Sequence, residues 1–442
     1  MTEVVIGLDL GTTTSKALVR GVDGQEFALV EARTQWSTTR DGGTQADADS
    51  FVQLSRGLLT RAIAAASSAR AVSVVGVGVA GLAESGVLLD GSGNPVAPVI
   101  AWFDRRGTEQ VSRRSAHFAR EFVRRTGLPW DSQASVAKLL WLADQGLALG
   151  PGHRWLSVPE YVVHRLGGAP VHEPSLASRT GLLDQATGKV WLDGAEELGL
   201  PTTLLPDGLN AGVAAGRITE LDGARGAAVT VAGHDHPVAA IGVGATGADE
   251  LFNSTGTADV FARSLPGVLS DDQREQLVGN GVSVGAHVLP ETTLLLGGVR
   301  GGLLLRRVLG MLGASSDGAA RDRLDASALA VGQLPSGLEI HGAGPTGDDV
   351  VLRVRDDADP AAVWAAATRY TAGETRALLD VVHRIVPPHS RAVACGGWTR
   401  MASVRKAKSE VIDHLEFSAL REPGVVGAAV LAQRAATRPE TL

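Results

Sequence analysis

Two short runs of glycine and hydroxyl residues are the parts of this 442-residue chain best suited to chemistry. The first is Ile6-Gly7-Leu8-Asp9-Leu10-Gly11-Thr12-Thr13-Thr14-Ser15-Lys16, and the second is Phe252-Asn253-Ser254-Thr255-Gly256-Thr257-Ala258-Asp259. Each reads as an apolar strand, a tight turn and a second strand. Such turns bring backbone N–H groups and hydroxyls close to a bound group, which suits phosphate oxygens. Asp9 ends the first apolar strand, where its charge needs a partner and a divalent cation could supply one. A plain hairpin is the alternative reading of Gly11–Ser15. With one such turn in each half, the pattern points to a nucleotide held between two related domains. Neither the G-x-x-x-x-G-K-S/T loop nor a strand leading into G-x-G-x-x-G fits this chain.

Asp235 is the best candidate for a general base. It follows the apolar run Val231-Ala232 and the turn residue Gly233, where a substrate would meet little side-chain bulk. Phosphoryl transfer asks for positioning, charge neutralisation and one carboxylate near the attacking hydroxyl. His234 and His236 flank it, but a metal reading needs a third ligand that the sequence does not indicate. A turn-capping aspartate is the alternative. Glu84 and the Asp104/Arg105/Arg106 cluster also follow apolar strands and could bind hydroxyls, which both donate and accept. A salt bridge among them is the competing interpretation. Trp102 could stack on a sugar or fill the core. The Gly396-Gly397 turn with Arg400 would let a flat base or ribose approach the backbone.

The elements that must position these groups are legible in outline. Val4–Leu8, Ala17–Arg20 and Phe27–Val30 predict an antiparallel meander, and Phe51, Leu54, Leu58, Leu59 and Ile63 recur at helical spacing. Val72–Ala80 reads as a buried parallel strand, and Pro98–Ile100 as a strand running into the polar cluster. Helices are expected near Ser112–Arg125, Ser135–Asp144 and Ser157–Leu166, with a loop over Ser175–Trp191. A Gly/Asp-rich stretch, Gly216–Ala227, predicts a boundary between domains 1–227 and 228–442. Beyond it come the strand Ala228–Ala232, a Gly-rich helix entry at Gly297–Leu312, a long amphipathic helix at Pro360–Ile385, and a small-residue helix at Gly424–Arg434. The order is that of a ribonuclease-H-like α/β domain, and the repeated strand–turn–strand hints at duplication.

Composition narrows the partners. A net charge of −7, without a Lys/Arg run interleaved with aromatics, argues against a nucleic-acid surface. The single cysteine, Cys395, excludes intramolecular disulfides and a cysteine-based metal site. No signal-like start or long apolar run is seen, so the expectation is a cytoplasmic protein without a membrane partner. Abundant Gly and Ala, with few aromatics, suggest small residues at turns and helix contacts.

Taken together, the motifs resemble the FGGY family of carbohydrate kinases nearly end to end. Gly7–Lys16 resembles its first phosphate motif, and Ala101–Arg106 its W-x-D-x-R stretch. Lys138–Gln145 is similar to a family signature, with Gln133 departing at its first position. Ser175–Gly181 resembles S-x-A-S-R-T, Gly233-His234-Asp235 the G-x-D segment, Gly256-Thr257 the second phosphate motif, and Gly396–Arg400 the adenosine motif. The resemblance implies two domains of the actin/hexokinase/heat-shock-ATPase superfamily closing on ATP and a sugar. It implies Asp235 as catalytic base and Asp9 at Mg2+. Gly11, Thr12, Thr13, Thr14, Lys16, Gly256 and Thr257 would lie on the phosphates, with Gly298, Gly397 and Arg400 near the nucleoside. Glu84, Trp102, Asp104 and Arg105 would contact a small-molecule carbohydrate, and a homodimer would be in keeping with the family.

Departures leave the substrate open. Gly81-Leu82-Ala83-Glu84 replaces the Q-M-H-G of xylulokinases, and Ala83 replaces the arginine beside the glutamate of glycerol kinases. Trp398 stands where the adenosine motif has a small residue. An ATP-driven switch of the actin or heat-shock type, or a catalytically weak sugar sensor, are the alternative functions. The first finds no peptide-binding or polymer-forming segment, and the Asp9/Asp235 pair argues against the second.

Overall fold

The computed structural model describes residues 1–342, 349–355 and 357–437. Among them, two six-stranded sheets carry the molecule. The first sheet begins with the meander β1 (Thr2–Leu10), β2 (Thr14–Gly21) and β3 (Glu26–Arg33). It continues through β4 (Val72–Gly81), β5 (Gly216–Arg217) and β6 (Ala228–His234), in the order β5-β6-β4-β1-β2-β3. Its strands β6, β4 and β1 are parallel neighbours. Being covered on both faces, β4 and β6 are runs of small and β-branched residues without polar alternation.

The helix α1 (Ala48–Ala69) starts at Asp47, whose side chain accepts from Asp49 N–H, and packs Phe51, Leu58, Leu59 and Ala62 on this sheet. The expected helix near Ser112–Arg125 is two helices, Thr108–Ser112 and Ala116–Thr126. Ser115 breaks them apart by capping the second through Phe118 N–H. Only Val99–Ile100 of the expected strand into the polar cluster is extended. An aromatic cluster of Phe118, Phe122, Trp130 and Trp191 anchors this middle region.

After β6 the chain forms α2 (Asp235–Gly242) and crosses to the second sheet. Its strands are β7 (Glu250–Thr255), β8 (Asp259–Pro266), β9 (Val282–Ala286), β10 (Thr292–Val299), β11 (Arg391–Cys395) and β12 (Leu415–Phe417). They lie in the order β9-β10-β8-β7-β11-β12. Strand 228–234 therefore belongs to the first sheet, and the sheets part after α2. The helices α3 (Gly301–Met311), α4 (Pro360–Ile385) and α5 (Ala402–Ser409) pack in this half. Gly298 lies in β10 opposite Val260, not in a loop entering the following helix.

The last described helix, α6 (Pro423–Thr437), returns to the first sheet. Glycines make that approach possible. A Cβ on Gly7 would stand 1.9 Å from Val425 O, and one on Gly78 2.3 Å from Ala428 O. Helices α2 and α6 meet as closely, since a Cβ on Gly427 would lie 1.9 Å from Val238 O. No helix among the described residues is long and apolar enough to cross a membrane.

Candidate active site

Three carboxylates lie at or just beyond the carboxyl ends of three adjacent parallel strands of the first sheet. Asp9 is the penultimate residue of β1, Glu84 follows the end of β4, and Asp235 follows the end of β6 as the first residue of α2. Glu84 holds a left-handed backbone (φ 60°), which a residue with a Cβ adopts only when its surroundings enforce it.

Asp9 is unsatisfied. Its Oδ1 is buried with no hydrogen-bond partner. Burial first, and the Asp235 carboxylate second, push its pKa up to about 7, against the opposing pull of Lys16. Lys16 sits across the hairpin from Asp9 and is itself bound to Glu422 at 2.5 Å. Gly424 at the start of α6 leaves room for the Asp9 carboxylate, whose Oδ2 would be 2.4 Å from a Cβ there.

Asp235 is held by its backbone surroundings. Its Oδ1 accepts from His236 N–H at 2.6 Å, and His234 Nε2 stands 3.2 Å away. His234 is buried, which drives its pKa down to about 3 and keeps the ring neutral. The His234 N–H donates to Ser175 Oγ at 2.9 Å, and that hydroxyl donates to Glu173 Oε2 at 2.5 Å. Gly233 is required here: its φ is 111°, and a Cβ would meet Val288, Ser175 and Glu173 within 2.9 Å.

The other expected acceptor-side residues divide. Glu84 Oε1 receives Arg179 Nε at 2.7 Å, and Arg179 Nη1 reaches Ser283 Oγ in the second half at 2.9 Å. Arg179, noted in the sequence only within its motif, is thus a functional candidate that chain order concealed. A small cavity beside the pair is also lined by Asp131 and Gln133. Trp102 Nε1 donates to Thr12 Oγ1 at 3.0 Å, so this indole braces the first turn. Asp104 is engaged within the fold. Its Oδ1 accepts Arg106 N–H and Nε, and its Oδ2 accepts Thr44 N–H and Arg106 Nη2, which uses its lone pairs within the fold. Arg105 is exposed. Lys138 is buried and spends its ammonium on the carbonyls of Asp104, Arg106 and Ser132.

In the second half, Gly256, Thr257, Gly397, Trp398 and Arg400 line one cavity of about 530 Å³ together with Gly302, Arg306 and Arg321. Gly298 is not among its lining residues. The turn is wedged between two close approaches: a Cβ on Gly302 would be 1.8 Å from Gly256 O, and one on Gly396 2.3 Å from Thr255 O. At the base of the turn, Lys408 binds Asp259 Oδ2 and Asn253 Oδ1, and Asn253 Nδ2 donates to Asp259 Oδ1 at 2.8 Å. This network ties the turn to α5, whose lead-in, Gly397–Arg400, forms another cavity wall. Three arginines stand in the cavity lining against two aspartates, Asp322 and Asp325, a net basic wall that suits an anionic ligand. The orphaned oxygen of Asp9 fits a hard divalent cation such as Mg2+, which takes oxygen ligands.

Comparison with known proteins agrees with this architecture. A model of the FGGY family of carbohydrate kinases, N-terminal domain, matches residues 4–242. The chain is 28% identical over 340 residues to the glycerol kinase of Janthinobacterium sp. (strain Marseille), covering 72% of this chain and 66% of that one. It is 27% identical over 265 residues to the xylulose kinase of Streptomyces rubiginosus, covering 59% of this chain and 54% of that one. The matched stretches thus span between half and two thirds of these relatives. Among solved structures, a xyloylose kinase from Brucella ovis superposes with a TM-score of 0.86 at 20% identity, covering 98% of this chain and 90% of that one. Plasmodium falciparum glycerol kinase with ADP gives a TM-score of 0.84 at 17% identity, covering 98% and 89%. The fold is therefore the two-domain actin/hexokinase-like α/β architecture.

Proposed function

The chain belongs to the FGGY family of carbohydrate kinases, and from that premise we propose that it transfers the γ-phosphate of ATP to a hydroxyl of a small neutral carbohydrate. The acceptor class is a pentulose, hexulose or polyol, and Asp235 is the general base that takes the hydroxyl proton. The observation that carries this reading is the position of Asp9, Glu84 and Asp235 at or just beyond the ends of three adjacent parallel strands. It supplies one carboxylate for the proton, one for a cation and one for hydroxyl recognition.

Asp9 would hold Mg2+, which when bound neutralises charge on the phosphates. Gly11 to Thr14, Lys16, Gly256 and Thr257 then serve the phosphates, while Gly397, Trp398 and Arg400 border the nucleoside; Gly298 supports the second hairpin from β10. The first sheet contributes the acceptor side and, where β6 ends, the base, while the second sheet and its helices contribute the nucleotide side. A neutral acceptor is favoured because nearby cations are engaged: Arg179 by Glu84, and Lys138 by backbone carbonyls.

The test is an ADP-release assay with Mg2+ and ATP against ketoses, aldoses and polyols, run beside Asp235→Ala. One strong responder, reduced at least about 100-fold in the variant while nucleotide still binds, is expected. Silence across the panel with ATP bound would overturn the reading in favour of a switch or sensor.

A further inference from the structure

We propose that His234, Asp235 and His236 form a binding site for a late first-row divalent metal, Zn2+, Co2+ or Ni2+, whose occupancy silences the Asp235 carboxylate. One ligand atom from each of the three residues lies within 4.8 Å of the others. His234 Nε2 and His236 Nε2 stand 3.2 and 3.9 Å from the same oxygen, Asp235 Oδ1. Ligands bound at about 2.0–2.1 Å in a tetrahedron lie roughly 3.4 Å apart, so side-chain rotation alone closes the set. The sequence left a His/Asp/His turn short of a third ligand; the structure supplies it as the intervening carboxylate.

Three further observations favour the site. The imidazole rings cross at 70° with centroids 5.5 Å apart, and each presents its Nε2 to the Asp235 carboxylate between them. The backbone beneath them is fixed at the junction of β6 and α2 by the His234 N–H bond to Ser175 Oγ. Such fixed starting points are what a metal site needs. Finally, His234 is 5% exposed while Asp235 and His236 are only partly buried, so one ligand is fixed in the interior and two face an entering ion.

Donor chemistry selects the metal. Two imidazoles and a carboxylate suit Zn2+, Co2+ or Ni2+ rather than Mg2+, which belongs with oxygen ligands. The α2 N-terminus and the charge of Arg179 near His234 oppose a cation, while the carboxylates of Asp235 and Asp9 oppose that effect. A metal on Asp235 Oδ1 withdraws charge from the carboxylate and lowers its basicity, and it fills the space the hydroxyl would enter, so it should inhibit in competition with the acceptor. That consequence rests on the kinase reading; the binding itself does not.

The experiment uses the full, untagged chain without nucleotide or acceptor. Co2+ is followed by its visible d–d band, and Zn2+ by competition with a chromophoric chelator. Wild type is expected to take up one equivalent, which Asp9→Asn retains and which His236→Gln and Asp235→Asn both lose, with thermal unfolding confirming that the variants fold. Failure of wild type to compete with the chelator, or an equivalent that survives both His236→Gln and Asp235→Asn, would overturn the site. An intact Zn2+ equivalent in a chain that phosphorylates no acceptor would support the site and remove the kinase reading.

Discussion

The ammonium of Lys408 lies 2.6 Å from Asp259 Oδ2 at the base of the Gly256-Thr257 turn, and the two side chains are 3% and 2% exposed. Removing one member strands the other charge in the interior. Lys408→Met should therefore destabilise the fold by about 3–5 kcal/mol in urea denaturation and weaken nucleotide binding. Lys408→Met with Asp259→Asn, which leaves no charge behind, should lose less.

Gly302 and Gly310 lie in the same helix, α3, and make a controlled comparison. A methyl on Gly302 would strike Gly256 O, whereas one on Gly310 meets nothing within 4 Å. Gly302→Ala should displace the turn, abolish measurable nucleotide binding and destabilise by about 1–3 kcal/mol. Gly310→Ala should leave binding unchanged and stabilise by up to about 1 kcal/mol. Calorimetric titration with ATP and thermal melts read both.

Stability should fall as pH rises from about 4 to 8 on account of three buried carboxyls. Burial pushes Asp9 and Glu160 to about 7 and Glu173 to about 8. Between their ordinary values and these, the folded chain keeps protons that the unfolded chain releases, so each rise in pH favours unfolding. Glu173→Gln should flatten the Tm-against-pH curve at its upper end. Mg2+ should raise Tm at pH 8 more than at pH 5, and Asp9→Asn should remove that difference.

Trp102 braces Thr12 through a 3.0 Å hydrogen bond. Trp102→Phe keeps the ring but deletes the donor. The expected loss is about 1 kcal/mol, or roughly fivefold in the KM for Mg-ATP, with the KM for the acceptor unchanged. A rise in the acceptor KM instead would place the indole on the sugar.

The legible part of this protein was local. The long helix at Pro360–Ile385 declares itself by its apolar period and by Asp359, whose side chain caps Ala362 N–H. The two hairpins and the strand-end positions of Asp9 and Asp235 follow from apolar runs broken by glycine and polar residues. What a strand-end charge faces is not local. Glu84 and Asp104 look alike in sequence, yet one meets Arg179 from 95 residues away and the other is consumed by Arg106 and the backbone of Thr44.

By itself, then, the sequence determined the α/β class, the family and the two turns, because dihedral preference and apolar period act over a few residues. The tertiary structure alone decided that β6 joins the first sheet and that α6 returns from the chain's end to seat Gly424 against Asp9. It also decided that Asp104 meets Arg106 and the backbone of Thr44. Apolar periodicity specifies which face of an element is buried but not against what. The partner is chosen by shape, here by glycines on facing elements that admit one close packing.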